Sequence, residues 1–196
     1  MTRDADHCGK TSITKTLFVQ QQTGGLANAV VSIEPASSQA TAAPVGTAAP
    51  LVISNSRCSF APRISVGQVG QLLEVRNDDP ILHNTHITAD RRTFINVALV
   101  PGGRPVRKPV TQPGLYSIAC DAHKFMTAHL FVAPHPYVGL TDQAGMFQLP
   151  RLEPGTYTMT VWHETLGTIH RSITIPTQGA SPLVVEYPKE RPSHAE

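Results

Sequence analysis

The stretch Pro113-Gly114-Leu115-Tyr116-Ser117-Ile118-Ala119-Cys120-Asp121-Ala122-His123-Lys124-Phe125-Met126 decides how this chain is read. Pro113-Gly114 signals a turn, and residues 115–120 then alternate like a half-buried strand that ends at the cysteine. Cys120, His123 and Met126 follow at C-x2-H-x2-M spacing, with His83-Asn84 upstream. A chain of 196 residues holding 3 Cys, 9 His and 4 Met is expected to show about 0.003 such spacings by chance. Each residue alone is ordinary: a cysteine is often a core thiol, and a methionine often fills a core gap. Together His83, Cys120, His123 and Met126 offer one thiolate, two imidazoles and one thioether. That donor set suits a trigonal His2Cys copper site with a weak axial Met, used for one-electron transfer.

Composition fits a strand-rich chain. Only 15% of residues are charged, 17 are Pro and 14 are Gly, as expected for many short strands joined by tight turns. The formal charge of +2 selects no acidic partner, and the scattered Lys and Arg leave no nucleic-acid footprint. No apolar run reaches the roughly 18 to 20 residues of an integral membrane segment. The first ten residues lack the apolar core of a signal peptide, so we expect either a mature exported protein or a chain that uses another route, and favour the first. With Cys120 claimed by the motif, Cys8 and Cys58 remain. A disulfide between them fits an oxidising, periplasmic or otherwise extracytoplasmic setting; two reduced thiols are the alternative.

Strands are expected at residues 11–18, 26–33, 51–53, 64–69, 71–76, 94–100, 115–120 and 129–133. A further set is expected at residues 138–141, 146–149, 156–163, 169–175 and 183–187. Residues 36–49, small and nearly uncharged, read as a linker. Asn77-Asp78-Asp79-Pro80 is a turn that places His83 in a loop just beyond it. No helix is expected.

Residues 50–133 resemble the cupredoxins. The resemblance is carried by Phe60-Ala61-Pro62, the Gly67 to Gly70 turn, Val75-Arg76-Asn77-Asp78-Asp79, His83-Asn84, Pro113-Gly114-Leu115-Tyr116 and the Cys120, His123, Met126 spacing. The short ligand loop is most similar to the amicyanin branch. The resemblance implies one type 1 copper, an electron-carrier role with a redox protein partner, and Asn84 hydrogen-bonding across to the cysteine loop. One position departs from it: Lys124 stands where the family usually has Pro, which leaves partner preference and reduction potential open.

The flanks, residues 11–35 plus 136–188, resemble the carboxypeptidase regulatory-like, transthyretin-like β-sandwich. Gly25-Leu26-Ala27-Asn28-Ala29-Val30-Val31, Thr141 to Phe147 and Leu152-Glu153-Pro154-Gly155-Thr156-Tyr157 carry it. The expected fold is therefore all-β: a cupredoxin Greek-key β-sandwich inserted in, or packed on, a second, transthyretin-like one. On residues 156–163, Tyr157, Met159, Val161 and His163 share one face, and His163 is expected to be a buried, hydrogen-bonded core histidine. His86, three residues past His83, should point the opposite way. A second metal site involving His86, His135 or His163 would be needed for a copper enzyme; a non-redox copper-holding, storage or adhesion module is the other alternative to a carrier.

Overall fold

The computed structural model describes residues 4–9, 16–35, 49–178 and 182–188. In chain order these form α1 (Ala5–Cys8), β1 (Val30–Pro35), β2 (Leu51–Ser56), β3 (Ser59–Ala61), β4 (Ile64–Gln68), β5 (Leu72–Asn77) and β6 (His83–Ala89). Then come β7 (Arg92–Leu99), β8 (Val106–Pro109), β9 (Gly114–Ala119), β10 (Thr127–Ala133), β11 (Val138–Leu140), β12 (Gly155–His163) and β13 (Gly167–Ile175). The architecture is all-β. The chain divides into two compact units, Met1–Lys15 with Ala42–Pro136 and Thr16–Thr41 with Tyr137–Glu196.

The first unit has a five-stranded sheet, β4-β10-β9-β6-β7, and a four-stranded sheet, β3-β2-β5-β8. Pairing is antiparallel except for β10 with β4 and β2 with β5. Side chains of both sheets meet in one core, including Ile53, Leu73, Val75, Ile87, Tyr116, Ile118 and Leu130. Each such aliphatic side chain contributes about 1.5–3 kcal/mol by leaving water. Strand parity then positions the chemistry. Tyr116 and Ile118 point inward on β9, and Cys120 continues the same parity just past its end. On β6, His83, Thr85 and Ile87 point inward, while Asn84 and His86 point out.

Among the described residues, the second unit has one four-stranded sheet, β11-β1-β12-β13. Val31 and Ile33 of β1 pack with Tyr157, Met159 and Val161 of β12. Its two sequence segments are tied by buried Thr141, whose hydroxyl donates to the Leu26 carbonyl at 2.6 Å and accepts the Ala29 N–H at 2.8 Å.

Several elements differ from expectation. Residues 16–18 form no strand; Val19 makes only an isolated bridge with Leu26, and residues 11–15 lie outside the described residues. The strand expected at residues 26–33 begins later, at Val30, because Asn28 adopts φ 63 in a turn. Residues 146–149 join no ladder; just before them the Asp142 carboxylate accepts the N–H groups of Ala144 and Met146 and closes the turn at 143–145. Residues 183–187 run without ladder pairing, although the Tyr187 hydroxyl donates to the Val161 and Gly167 carbonyls. His83 opens a strand instead of lying in a loop. Strands β3 and β8 and the four-residue α1 were not expected. Of the linker, residues 36–48 lie outside the described residues.

Candidate metal centre

Three of the four proposed ligands converge. Ligand atoms of His83, Cys120 and His123 lie within 4.8 Å of one another. The His83 and His123 rings are 4.9 Å apart, and Cys120 Sγ is 3.5 Å from His123 Nδ1. Bond lengths of roughly 2.0–2.3 Å to nitrogen and sulfur, arranged in a trigonal plane, separate ligand atoms by roughly 3.5–4 Å. The observed spacing is close to that. His83 and Cys120 are 0% exposed, His123 1% and Met126 2%.

The loop after β9 builds one side of this group. The Met126 N–H donates to the His123 carbonyl at 2.9 Å, and the Cys120 N–H donates to the Met126 carbonyl at 3.2 Å. These bonds fold residues 120–126 back on themselves and bury Met126 in the same core cluster as Cys120. Asn84 supplies a cross-tie: its Oδ1 accepts the Asp121 N–H at 3.2 Å, and its Nδ2 donates to Asn96 Oδ1 at 2.7 Å.

Both histidines turn their outer nitrogen to a carboxylate. His83 Nε2 donates to Asp79 Oδ2 at 2.8 Å, and His123 Nε2 donates to Asp4 Oδ2 at 3.1 Å. A carboxylate only accepts, so Nε2 of each ring carries a proton, and in the neutral ring that leaves the lone pair on Nδ1. His83 Nδ1 is buried with no hydrogen-bond partner among the described residues. A buried, unpaired imidazole nitrogen facing a thiol is costly unless something binds it. These residues therefore fit a soft or borderline transition-metal ion.

Asp79 is itself held. Its oxygens accept the N–H groups of Arg57 at 2.6 Å and Cys58 at 2.8 Å. Burial pushes its carboxyl up, but those backbone N–H groups and His83 more than offset this, and it lies below its ordinary value of 3.8. For His83 burial dominates the pull of Asp79, so the ring lies below its ordinary 6.5, which favours its neutral form. A neutral ring is the form that binds a metal.

Sequence reading missed Asp79 and Asp4. Asp79 carried one usable signal, a carboxylate four residues before His83; Asp4 carried none, since 119 residues separate it from its partner. Cys8 and Cys58 form a disulfide, with Cα atoms 5.5 Å apart. A second group, His7, Cys58 and Asp79, also brings ligand-type atoms together. It offers no thiolate, because Cys58 is spent in that disulfide. His86 Nδ1 donates to Asp121 at 3.3 Å and its Nε2 accepts from Thr93 at 3.1 Å, leaving neither nitrogen for a metal. His163 Nδ1 accepts the N–H groups of Thr165 and Leu166, a capped core histidine. His135 is buried in the bend after β10.

The solved structures similar to this chain include cupredoxins. A reduced amicyanin mutant is 19% identical, with 53% of this chain and 98% of that chain covered, at a TM-score of 0.40. A purple cupredoxin from Nitrosopumilus maritimus is 19% identical over 42% of this chain and 99% of that one, TM-score 0.37. The copper-containing nitrite reductase (NirK) from Thermus scotoductus SA-01 is 22% identical over 51% of this chain, TM-score 0.40. That match spans only 25% of the reductase. No protein-family model and no curated protein matches the chain. Among the described residues, no helix is long and apolar enough to cross a membrane.

Proposed function

We propose that this protein is a one-electron carrier in which His83, Cys120 and His123 hold a single type 1 copper, with Met126 as the weak axial contact. The observation that carries this reading is the buried convergence of one thiol with two imidazoles whose outer nitrogens are each tied to a carboxylate. When bound, copper supplies a one-electron couple, and a fixed compromise geometry lowers the rearrangement each transfer requires. The residues do the rest. The β9–β10 loop fixes Cys120 and His123, β6 fixes His83, and Asn84 pins the cysteine loop by accepting the Asp121 N–H. The core sandwich keeps water away from the sulfur.

The Cys8–Cys58 disulfide supports an oxidising, extracytoplasmic location. A redox protein would be the partner. For the second unit, whose described residues form one four-stranded sheet of β1 and β11–β13, we propose the transthyretin-like reading on the sequence resemblance named above.

The test is direct. Cu(II) added to the purified protein is expected to give an intense blue or green thiolate-to-copper absorption, and Cys120→Ala is expected to abolish it. A pale, cysteine-independent signal would refute the type 1 site. A blue form that cannot be cycled reversibly by a small reductant and oxidant would favour metal holding over electron transfer.

A further inference from the structure

Asp4 occupies the N-cap position of α1, where an aspartate side chain usually accepts an N–H of the first helical turn, a bond worth about 1 kcal/mol. It makes no such bond. Its backbone also sits in the left-handed region, at φ 57 and ψ 35, which among residues with a side chain Asp and Asn visit most readily. The carboxylate is instead directed to His123 Nε2, while the Asp4 carbonyl accepts the N–H groups of His7 and Cys8. Four residues on, Cys8 is covalently joined to Cys58. The Cys58 N–H in turn donates to Asp79, the carboxylate that holds His83. One disulfide thus gathers the supports of both imidazoles. His123, midway along the β9–β10 loop, is left only 1% exposed.

Building on the copper reading above, we propose that Asp4 is a positioning residue for His123, pinned in place by the Cys8–Cys58 disulfide. It keeps the imidazole proton on Nε2, so that the bare Nδ1 meets Cys120 Sγ, and it closes the outer edge of that ring to water. The negative charge it brings to the ligand also favours the more highly charged, oxidised ion. The N-terminal segment is accordingly part of the site, although it contributes no ligand.

Two readouts test this, one of them without metal. In 15N-labelled metal-free protein, His123 is expected to show a single Nε2–H tautomer whose proton exchanges slowly with water. Asp4→Ala should speed that exchange at least tenfold and populate the Nδ1–H tautomer, and Cys8→Ser/Cys58→Ser should do the same. Asp4→Asn, whose amide oxygen still accepts, should keep the tautomer. In copper-loaded protein both Asp4 variants should retain the cysteine-dependent band. Loss of the charge should shift the reduced-to-oxidised ratio tenfold toward the reduced form, about 59 mV upward for a one-electron couple. Unchanged His123 exchange and tautomer in Asp4→Ala would overturn the proposal, as would a potential unmoved in both Asp4 variants. If the wild type gives no blue band, the copper reading fails, and the metal-free spectra still decide the role of Asp4.

Discussion

His163 shows how a single buried residue carries both a structural duty and a pH response. It lies at the end of β12, 0% exposed, and its Nδ1 accepts two backbone N–H groups of the following turn, at 3.1 and 3.3 Å. Replacing it with Ala leaves both donors without a partner. We expect a loss of about 1–3 kcal/mol in the second unit. Burial, opposed by Glu164 and the Ala27 backbone, lowers its pKa from the ordinary 6.5. The unfolded chain therefore takes up the proton first as pH falls. The stabilisation is complete above about 6.5, declines as pH drops through the folded-state value, and loses nothing further below it. Trp162, the one tryptophan of the chain, reports unfolding of this unit by fluorescence. Between pH 7.5 and 5 the urea midpoint should fall further in wild type than in His163→Asn, which can accept but does not titrate. Parallel pH profiles would remove His163 as the cause.

Between strands β5 and β6, the five residues 78–82 aim the first imidazole, and Asn77 at the end of β5 organises them. Its Nδ2 donates to the Ile81 and Leu99 carbonyls at 2.7 and 2.9 Å, and its Oδ1 accepts the Asp79 N–H at 3.0 Å. Asn77→Ala strands these buried groups, so we expect a loss of about 1–3 kcal/mol in denaturant unfolding. Asn77→Asp should be worse, because it sets a carboxylate against two carbonyls; equal stability of the two variants would contradict this assignment. Elements of this kind divide into what the sequence discloses and what it hides. Strands β9 and β12 were legible because inward apolar residues alternate after a Pro-Gly turn, and β10 because Leu130-Phe131-Val132-Ala133 is a continuous apolar run. Strand β8, Val-Arg-Lys-Pro, was not, since an edge strand facing solvent carries little apolar periodicity. Residues 146–149 are also largely apolar, but the Met146 N–H goes to Asp142 and the segment joins no ladder. The Cys120, His123, Met126 loop was legible because its spacing is local. Asp4 was not, because a hydrogen bond spanning 119 residues leaves no mark in spacing, and Asp79, only four residues before His83, was read as part of a turn.

At the scale of the whole molecule, the chain's path and its one disulfide are entangled. The Cys8–Cys58 bond spans a sequence separation of 50 and so encloses residues 16–35, which include β1 of the second unit. A free loop of that length would stabilise the folded form by about 4 kcal/mol through lost unfolded-chain entropy. Here part of the loop is already ordered in the sheet with β11 and β12. The chain released when the first unit unfolds alone is correspondingly shorter, which lowers the expected gain toward about 2–3 kcal/mol. Cys8→Ser/Cys58→Ser should therefore destabilise the first unit by that amount. Amide exchange at Ile118 and Leu130, deep in its core, is the measure. The Trp162 fluorescence transition should stay where it is, because neither cysteine belongs to the second unit. If both signals shift together, the two units unfold as one cooperative body, and the division drawn from the backbone has no energetic counterpart.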